Sequence, residues 1–597
     1  MHAGAAHRPP SHLSLHLFLS TPFIKVVNRD LSIAVLRVFA ARLEAEAAAG
    51  KKGKRRPKPK AGGEGGAGTA AGPPPPPPPA PGRLRVLEGL AATGLRAIRY
   101  ANEVEAVASV DANDLDAGAV AAIARNVALN GGAAADKVRP TRSDARVKML
   151  TSPSSYEVVD LDPYGAPCDL LDSAVRAVVD GGLLAVTATD LAVLCGGAGE
   201  AGWAKYGSYP LHRPYGHEQA IRILLAAIST AAARAKRVIE PVLAVSIDFY
   251  VRVFVRARDA PARVQTLPQR MAYVWQSAGL DAFWLQPVGR AVDKGRRGGV
   301  RHLAGQGPAV AGSDGVPSAV CPETGAALML GGPIWGDALH DGGWVRDLLA
   351  ELGTNASAYP AGARVRALLT TVAEELPDAP LYYSLHALAK TVSAAPPPAD
   401  TFRSALVNAG FRVSSTHANP LGVKTDAPPH AVWDVMRCWA RAQLGEARLA
   451  DKVRLAGPDS AFSKVMARPP ALQANFARAQ GALSASRTAG AARFLPNPEA
   501  HWGPKSRHRP AGGGGGGGGK GERPAKVART EEGKAKGAAA AAGAAAAAGA
   551  AAAAGAAAAA TEEEATVVVT TTGEALAQEA MAGAAAIRAA EAEATGV

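Results

Sequence analysis

A buried strand that runs into a loop of small residues and then a helix is the feature that most limits how this chain can fold. The mostly apolar segment Leu84-Arg85-Val86-Leu87 predicts the strand, and Glu-Gly-Leu-Ala-Ala-Thr-Gly at 88–94 predicts the loop. Leu95, Ile98 and Ala101 follow at helical spacing. Small residues let the backbone approach a ligand closely, and the helix N terminus offers free N–H groups. Repeated units of this kind are typical of a doubly wound α/β domain.

Acidic residues follow the next predicted strands at the same point of the repeat. Residues 106–110 predict a strand that ends in Asp111-Ala112-Asn113-Asp114, and a third unit ends in Ser143-Asp144-Ala145. A carboxylate at the end of the 106–110 strand can hold a ribose diol. The Ser143-Asp144-Ala145 segment suits the edge of an adenine. The first loop lacks the G-x-G-x-x-G pattern, so S-adenosylmethionine is favoured over a dinucleotide. An α/β domain without methyltransferase activity stays open as an alternative.

The tetrapeptide Asp162-Pro163-Tyr164-Gly165 follows an apolar strand predicted at 156–161. Its carboxylate can accept hydrogen bonds from an exocyclic amine, and its aromatic ring can stack on a flat base. The proline has no backbone N–H to compete for the same acceptors. Together these residues indicate methylation of an amino group on a nucleobase. The same four residues are also ordinary turn chemistry, so the tetrapeptide alone does not decide.

A series of short motifs extends this pattern along most of the chain. In order they lie at residues 28–32, 87–100, 160–165, 189–196, 205–207, 217–218, 246–255, 332–335, 414–417, 424–428 and 497–505. This series resembles the Trm1 family of tRNA (guanine-N2)-dimethyltransferases. The resemblance implies an α/β fold, with a Rossmann-like class I methyltransferase domain followed by a smaller α+β C-terminal domain.

The resemblance also implies a reaction: one or two methyl groups pass from S-adenosylmethionine to N2 of a guanine, usually at tRNA position 26. It makes the chain a tRNA (guanine26-N2)-dimethyltransferase. Carried over position by position, it assigns the catalytic site to Asp162, Pro163 and Tyr164, with Asp162 as hydrogen-bond acceptor and base. Cofactor contacts fall on Arg29, Glu88, Gly89, Ala91, Thr93, Gly94, Asp114, Asp144 and Ala145, with Asp114 at the ribose and Asp144 and Ala145 at the adenine. His217 and Glu218 are candidate second bases, although a polar pair that holds the fold is the favoured interpretation.

Two departures from the family pattern bear on these assignments. Where the family often has a Tyr-Asn-Pro-Val-Gln segment, this chain has Thr21-Pro22-Phe23-Ile24-Lys25. Family members commonly carry two Cys-x-x-Cys pairs, and the matching positions here hold Ser277, Leu280, Cys321 and Thr324. One thiol cannot build a structural zinc site with four ligands, so no metal is expected.

The resemblance implies that the second domain holds the tRNA body. Asp400 is predicted as a helix N-cap, with Gly410 as the C-terminal stop and a strand at 411–416. The residues predicted to contact RNA phosphates are Lys424, Arg437, Arg412 and Lys505. A net charge of +14 over 597 residues fits a polyanionic substrate.

The resemblance sets the limits of the two domains, and composition marks the insert and the tail. Residues 1–27 are a targeting or variable segment, 28–259 the methyltransferase domain, 260–505 the C-terminal α+β tRNA-binding domain, and 506–597 a disordered tail rich in Gly and Ala. Within the first domain, 46–81 predict a disordered basic and proline-rich insert. Four cysteines without a pairing pattern predict no disulfide framework, and no apolar run predicts a membrane span. We expect a monomer.

Location and competing functions are open at this point. Seven of the ten residues 51–60 are Lys or Arg, which is typical of a nuclear import signal, and a mitochondrion or plastid is the alternative. A solvated charge run is an equally acceptable interpretation. Besides the favoured enzyme, two functions compete: a catalytically silent tRNA-binding or tRNA-folding protein, and an amino-methyltransferase that acts on DNA adenine or protein glutamine.

Overall fold

A computed structural model gives the structure of residues 22–50, 83–294, 299–306, 320–488 and 490. For residues 22–25 and 50 it describes the backbone alone. Most of the predicted N-terminal segment, most of the insert, the motif at 497–505 with Lys505, and the tail lie outside the described residues. The predictions made for them therefore stay predictions.

A seven-stranded sheet carries the strand-loop-helix repeats. Its strand order is β3-β2-β1-β4-β5-β7-β6, with β1 to β5 parallel and β7 antiparallel to both of its neighbours. All six residues of β4 are buried, as expected of a parallel strand covered on both faces. This sheet, covered by helices, confirms the predicted Rossmann-like fold. The strands are β1 (Leu84–Glu88), β2 (Val107–Asp114), β3 (Val138–Arg142), β4 (Tyr156–Leu161), β5 (Val178–Ala188), β6 (Arg237–Ile247) and β7 (Tyr250–Asp259).

Helices cover both faces of this sheet. Helices α1 and α2 pack on one face through a core that contains Leu31, Phe39 and Tyr100, and α6 and α8 pack on the other. Ile98 and Ala101 are buried as predicted, but Leu95 is 45% exposed because it opens the first turn of α2. The helices are α1 (Pro22–Gly50), α2 (Leu95–Glu103), α3 (Ala117–Asn130), α4 (Gly132–Lys137), α5 (Ala145–Leu150), α6 (Cys168–Ala177), α7 (Gly199–Tyr206) and α8 (Gly216–Arg234), with a π turn at Val193–Gly197.

Smaller sheets and further helices follow β7. The sheets are β12-β8-β9, the hairpin β10-β11, and β13-β15-β14. Their strands are β8 (Met271–Ser277), β9 (Phe283–Pro287), β10 (Gly289–Asp293), β11 (Val300–Ala304), β12 (Leu328–Trp335), β13 (Tyr383–Ser384), β14 (Val413–Thr416) and β15 (Asn419–Thr425). The helices are α9 (Pro261–Val264), α10 (Leu267–Arg270), α11 (Gly342–Thr354), α12 (Gly362–Ala373), α13 (Leu385–Thr391), α14 (Ala399–Asn408), α15 (Pro429–Ala456), α16 (Ala461–Ala467) and α17 (Ala485–Thr488), with a 3-10 turn at Ala356–Ala358.

The predicted helix-strand unit near residue 400 is present, with a shifted start. Helix α14 has Pro398 as its N-cap, so the N-cap prediction at Asp400 is wrong by two residues. Asp400 instead lies in the first turn, where a carboxylate still favours the positive end of the helix dipole. Gly410 has a φ of +88°, which suits the predicted C-terminal stop.

The apolar core crosses the predicted domain boundary near residue 260. Trp344 and Leu348 of α11 share a core with Leu31 and Phe39 of α1, and the rings of Phe39 and Trp344 stack at 6.3 Å. A separate core gathers α13 to α16 around Phe402 and Trp433. Among the described residues, the helices are too short or too polar to cross a membrane.

Candidate active site

The predicted ligand-binding residues meet at the carboxyl ends of the parallel strands. Gly89 N–H donates to the Asp160 carbonyl at 2.9 Å, and Ala91 N–H donates to the Asn113 carbonyl at 2.8 Å. The Asn113 amide then donates to the carbonyls of Gly89 and Ser143, both at 3.0 Å. These bonds tie the loops after β1, β2 and β3 to β4. The residues brought to this edge are Glu88, Gly89, Ala91, Thr93, Gly94, Asp114, Asp144 and Ala145.

The loop at 88–94 is shaped by its small residues. Gly94 has a φ of +74°, and a Cβ there would lie 2.9 Å from the Ile123 side chain, so glycine is required. Asp114 Oδ2 accepts from Ala92 N–H at 2.8 Å, and its Oδ1 accepts from Asp116 N–H at 3.0 Å. The predicted ribose carboxylate therefore also fixes the loop.

Two predicted cofactor contacts have environments that the sequence did not reveal. Glu88 is buried, and burial, opposed in part by Arg96, raises its pKa to about 8. Asp144 is the N-cap of α5 and pairs with Arg146, whose hydrogen bond lowers the pKa of Asp144 to about 2. At neutral pH, Glu88 is therefore largely protonated and Asp144 is charged. Ala145 is buried beside it.

Arg29 lies on α1 at the same side of the sheet. Burial, followed by the nearby charges of Arg96 and Arg99, lowers its pKa, while Asp30 and Asp162 oppose that shift. A guanidinium crowded by two others is well suited to bind an anionic ligand group such as a carboxylate. Its cofactor contact stays a prediction.

The tetrapeptide after β4 presents its groups as the sequence predicts for a base-binding site. The Asp162 side chain is 31% exposed, and its Oδ2 accepts from Nη2 of Arg96. Tyr164 is 85% exposed, so its ring is available for stacking, while Pro163 is buried. Gly165 N–H donates to Thr189 Oγ1 at 2.7 Å, and Thr189 N–H donates back to the Gly165 carbonyl at 3.0 Å. This exchange fixes the tetrapeptide to the end of β5.

Buried ions beneath the tetrapeptide were missed by the sequence reasoning. Arg252 donates to Asp160 Oδ1 at 2.8 Å and to Oδ2 at 2.9 Å, and Tyr100 donates to Oδ2 at 2.6 Å. Burial alone would raise the pKa of Asp160, but Arg252 and Arg96 outweigh it and lower the pKa to about 2. The available signal was a pair of oppositely charged residues inside two mostly apolar strands, Asp160 in β4 and Arg252 in β7, since a buried charge predicts a partner of opposite charge.

A family comparison gives this geometry its context. The family model described as N2,N2-dimethylguanosine tRNA methyltransferase matches residues 21–437. The chain belongs to this family. A relative from Arabidopsis thaliana named tRNA (guanine(26)-N(2))-dimethyltransferase 2 is 48% identical over 423 residues, which cover 71% of this chain and 69% of the relative. The mouse relative, tRNA (guanine(26)-N(2))-dimethyltransferase, is 45% identical over 72% of this chain and 63% of its own length.

A solved structure of the same family agrees with the fold. Trm1 from Pyrococcus horikoshii, in complex with S-adenosyl-L-methionine, superposes with a TM-score of 0.51 at 25% identity. The match covers 69% of this chain and 92% of the archaeal chain. The predicted family membership and fold are therefore confirmed.

Two of the predicted phosphate contacts are corrected by burial. The Lys424 side chain is 2% exposed, and its Nζ lies 3.1 Å from Glu218 Oε1 and 3.3 Å from Glu375 Oε2. The Arg437 side chain is also 2% exposed and pairs with Glu323 and Asp434. Both side chains form ion pairs inside the protein, because a buried charge is stable only beside a group of opposite charge. They cannot reach an RNA backbone without breaking these pairs.

The phosphate contacts predicted for Arg412 and Lys505 stay predictions. The Arg412 side chain is 52% exposed and holds Asp378 and Asp426, each at 2.7 Å. An exposed guanidinium of this kind can exchange a carboxylate for a phosphate, so the contact stays a prediction. Lys505 lies outside the described residues.

Glu218, the acidic member of the family's His-Glu pair, is held in the interior by several partners. Glu218 is fully buried, and its Oε1 accepts from Leu381 N–H and pairs with Arg222, both at 2.8 Å. Burial opposes ionisation, but Lys424 and Arg222 lower the pKa of Glu218 overall. A buried carboxylate with two cationic partners is a poor second base, which supports the structural interpretation. Burial lowers the pKa of the neighbouring His217.

A cluster of potential metal ligands lies beside Lys424. Of the described residues, His340, Glu375 and His417 each bring one ligand atom within 4.8 Å of the others. His417 Nε2 accepts from Ser246 N–H at 3.2 Å, so its proton is on Nδ1, which lies 2.6 Å from Glu375 Oε1. His340 Nδ1 accepts from Ala244 N–H at 3.3 Å, so its proton is on Nε2. Each ring therefore uses its lone pair to accept from a backbone N–H. His417 is hydrogen-bonded to Glu375, whereas His340 Nε2 is buried without a hydrogen-bond partner among the described residues.

The four positions where family members often have cysteines lie on two short segments, 277–280 and 321–324, that pack against each other. Ser277 and Thr324 both line Gly279, whose added Cβ would lie 3.3 Å from Thr324 Oγ1 and 3.9 Å from Ser277 Oγ. Leu280 and Cys321 are buried in one apolar core. Phe283 packs nearby and stacks on Tyr383 with a centroid distance of 4.9 Å. The absence of a zinc site here stays a prediction, which the residue types at these four positions support.

Zinc removal is expected to leave the protein unchanged. Hydroxyl and leucine side chains do not replace thiolates toward zinc, so chelator should not lower the melting temperature. Elemental analysis of purified protein should find no stoichiometric zinc. One tightly held zinc per chain, lost on unfolding, would contradict this prediction.

Proposed function

We propose that this protein methylates N2 of the guanine at tRNA position 26, with S-adenosylmethionine as methyl donor. The observation that carries the proposal is the tetrapeptide Asp162-Pro163-Tyr164-Gly165, held beside the small-residue loop at the carboxyl edge of the sheet. Relatives that match most of this chain carry the corresponding name. Both mono- and dimethylated guanosine are expected products.

The residues at this edge fit the proposed cofactor. S-adenosylmethionine supplies an electrophilic methyl group on a sulfonium. The loop at 88–94 offers close backbone approach, because glycines occupy 89 and 94 and a Cβ at either would meet a neighbour at 3.0 Å or less. We assign the ribose to Asp114, the adenine to Asp144 and Ala145, and the methionine end to Arg29.

The tetrapeptide would orient the guanine and take its proton. A guanine amine is conjugated with its ring and is a poor nucleophile, so orientation matters most. Tyr164 stacks on the base, and Asp162 accepts a hydrogen bond from the amine through the oxygen that Arg96 does not occupy. The same oxygen accepts the proton that the amine loses. Pro163 lies at the buried base of this segment and sets its backbone direction.

Mass spectrometry of nucleosides tests the proposal. Purified protein, S-adenosylmethionine and unmodified tRNA should yield N2-methyl- and N2,N2-dimethylguanosine, and a tRNA with adenosine at position 26 should yield neither. Binding without methylation would support the silent tRNA-binding protein instead. Methylation of DNA adenine or a glutamine peptide, with none on tRNA, would support the third candidate.

Salt dependence tests the RNA contacts separately. The logarithm of tRNA affinity should fall linearly with the logarithm of salt concentration. Arg412→Ala should make this slope shallower by about one if Arg412 contacts one phosphate. Lys424→Met should leave the slope unchanged under conditions in which the variant is folded, because the Lys424 side chain is buried. A shallower slope for Lys424→Met, or a flat response in the unmodified protein, would contradict these assignments.

We propose a nuclear location on the basis of the basic run at 51–60, which lies outside the described residues. A yeast relative is named as mitochondrial, so an organelle is the alternative. Fluorescence imaging of the full chain with and without residues 51–60 decides between them. Retention in the nucleus after the deletion would show that another segment carries the signal. The monomeric state stays a prediction, which light scattering can check.

A further inference from the structure

Arg96 is held by several groups around the proposed catalytic carboxylate. Its Nη2 donates to Asp162 Oδ2, and its Nη1 donates to Asn28 Oδ1 at 2.9 Å and to Ser32 Oγ at 3.2 Å. Its Nε lies 3.5 Å from Glu88 Oε1. With 8% of the side chain exposed, the guanidinium is fixed between α1, β1 and the tetrapeptide.

Of the carboxylates around Arg96, Asp162 makes the shortest contact. Three carboxylates face it: Glu88, Asp160 and Asp162. Burial keeps Glu88 largely neutral at pH 7, because its pKa is raised to about 8. Asp160 receives two hydrogen bonds from Arg252 and lies farther from Arg96, at 3.7 Å. Asp162 is therefore the carboxylate nearest to Arg96, while Asp160 also attracts the guanidinium from 3.7 Å.

We propose that Arg96 is a positioning residue for methyl transfer, which holds Asp162 by Oδ2 so that Oδ1 is presented to the guanine amine. This inference rests on the proposed function. Among the described residues, the hydrogen bonds to the Asp162 side chain engage Oδ2 alone. A carboxylate held at one oxygen by a guanidinium that is itself fixed has restricted rotation, and small errors in the position of a reacting group cost large factors in rate.

The same contacts explain the role of the motif at 28–32. Asn28 and Ser32 are both buried, and they orient Arg96 from α1. The N-terminal helix thus acts on the catalytic carboxylate through one guanidinium. Arg96 itself need not touch the substrate.

The first test separates kcat from KM in Arg96→Gln. We expect kcat to fall about 100-fold while KM for tRNA stays unchanged, since orientation is lost and RNA contacts are kept. Arg37→Gln is the matched control, because Arg37 is also a partly buried arginine but pairs with Glu351 at 3.0 Å and not with the tetrapeptide. It should lower stability and keep kcat. Equal kcat values in Arg96→Gln and the unmodified protein would overturn the proposal.

A double-mutant cycle provides a readout that a merely structural residue would not change. In an Asp162→Asn background, Arg96→Gln should cost little more, because the carboxylate it positions is gone. Independent, multiplied losses in the double variant would overturn the proposal. All variants are compared with an unmodified protein that methylates tRNA, so absence of that activity would refute the proposed function and not the role of Arg96.

Arg96→Lys keeps the proposal testable if the glutamine variant does not fold. An ammonium keeps the charge but cannot reproduce the fork that spans Asp162, Asn28 and Ser32. We expect a folded protein with kcat lowered about 10-fold, which corresponds to one weakened charged hydrogen bond. A wild-type kcat in this variant would show that charge alone is sufficient and would overturn the positioning role.

Discussion

Replacement of Asp162 by alanine is expected to lower kcat by about 10²- to 10⁴-fold, the cost of removing a positioned base. Cofactor binding should survive, because the lost group addresses the amine and the loop at 88–94 is held by other bonds. Single-turnover methyl transfer to tRNA and calorimetric titration with S-adenosylmethionine measure the two properties separately.

Asp169→Ala is the control for this variant. Asp169 is an exposed acid in the first turn of α6, soon after the tetrapeptide, and its removal should leave kcat unchanged. A folded Asp162→Ala protein with the unmodified rate would refute the proposed mechanism. Lost cofactor binding in that variant would place Asp162 in the cofactor site instead.

Replacement of Asp160 by alanine should destabilise the fold by about 3–5 kcal/mol, the usual cost of leaving a buried charge without its partner. Arg252 is completely buried and would keep its charge beside an apolar methyl group. Tyr100 would lose the acceptor of its hydroxyl at the same time. Urea denaturation measures the change in the free energy of unfolding.

The exposed pair Arg234–Asp172 provides the control for this prediction. Both side chains are more than half exposed, so Asp172→Ala should cost less than about 1 kcal/mol. A similarly small loss for Asp160→Ala would contradict the role of the buried pair.

The pH dependence of stability gives a further check on Asp160. The folded-state pKa is about 2, below the ordinary value of about 3.9 for an unfolded aspartate. Its contribution is therefore fully present above about pH 4 and is lost as pH falls toward 2. The stability difference between the unmodified protein and Asp160→Ala should shrink over that window. A difference that stays constant down to pH 2 would contradict the assignment.

Local pattern was sufficient to place the site on the fold. The apolar runs at 84–87 and 156–161 became central parallel strands, and the loop and tetrapeptide that follow them lie at one edge. The prediction succeeds because parallel strands have their carboxyl ends at the same edge of the sheet. Residues that directly follow such strands in the sequence therefore lie close together in space. The α14 start and the exposure of Leu95 were missed because helix ends depend on their particular turn geometry.

Local pattern failed for the basic side chains of the second half. Lys424 lies near the end of strand β15 and resembles a surface cation by sequence, yet it is buried against Glu218 and Glu375. Arg437 is buried in the same way by Glu323, which lies 114 residues away in sequence. Net charge and residue type cannot distinguish a buried ion pair from a phosphate contact, because the partner is supplied by another element.

The sequence by itself determined the α/β class and the family, and it predicted residues that the fold brings to one edge of the sheet. Only the tertiary structure decided which charges face one another beneath that site. Arg252 reaches Ser32 across 220 residues of sequence, and Arg96 reaches Asp162 across 66. Periodicity and motif spacing describe neighbours along the chain, whereas an ion pair depends on the distance between side chains in the folded state. A buried guanidinium is stable only where packing has already placed its carboxylate, and that placement is a property of the whole fold.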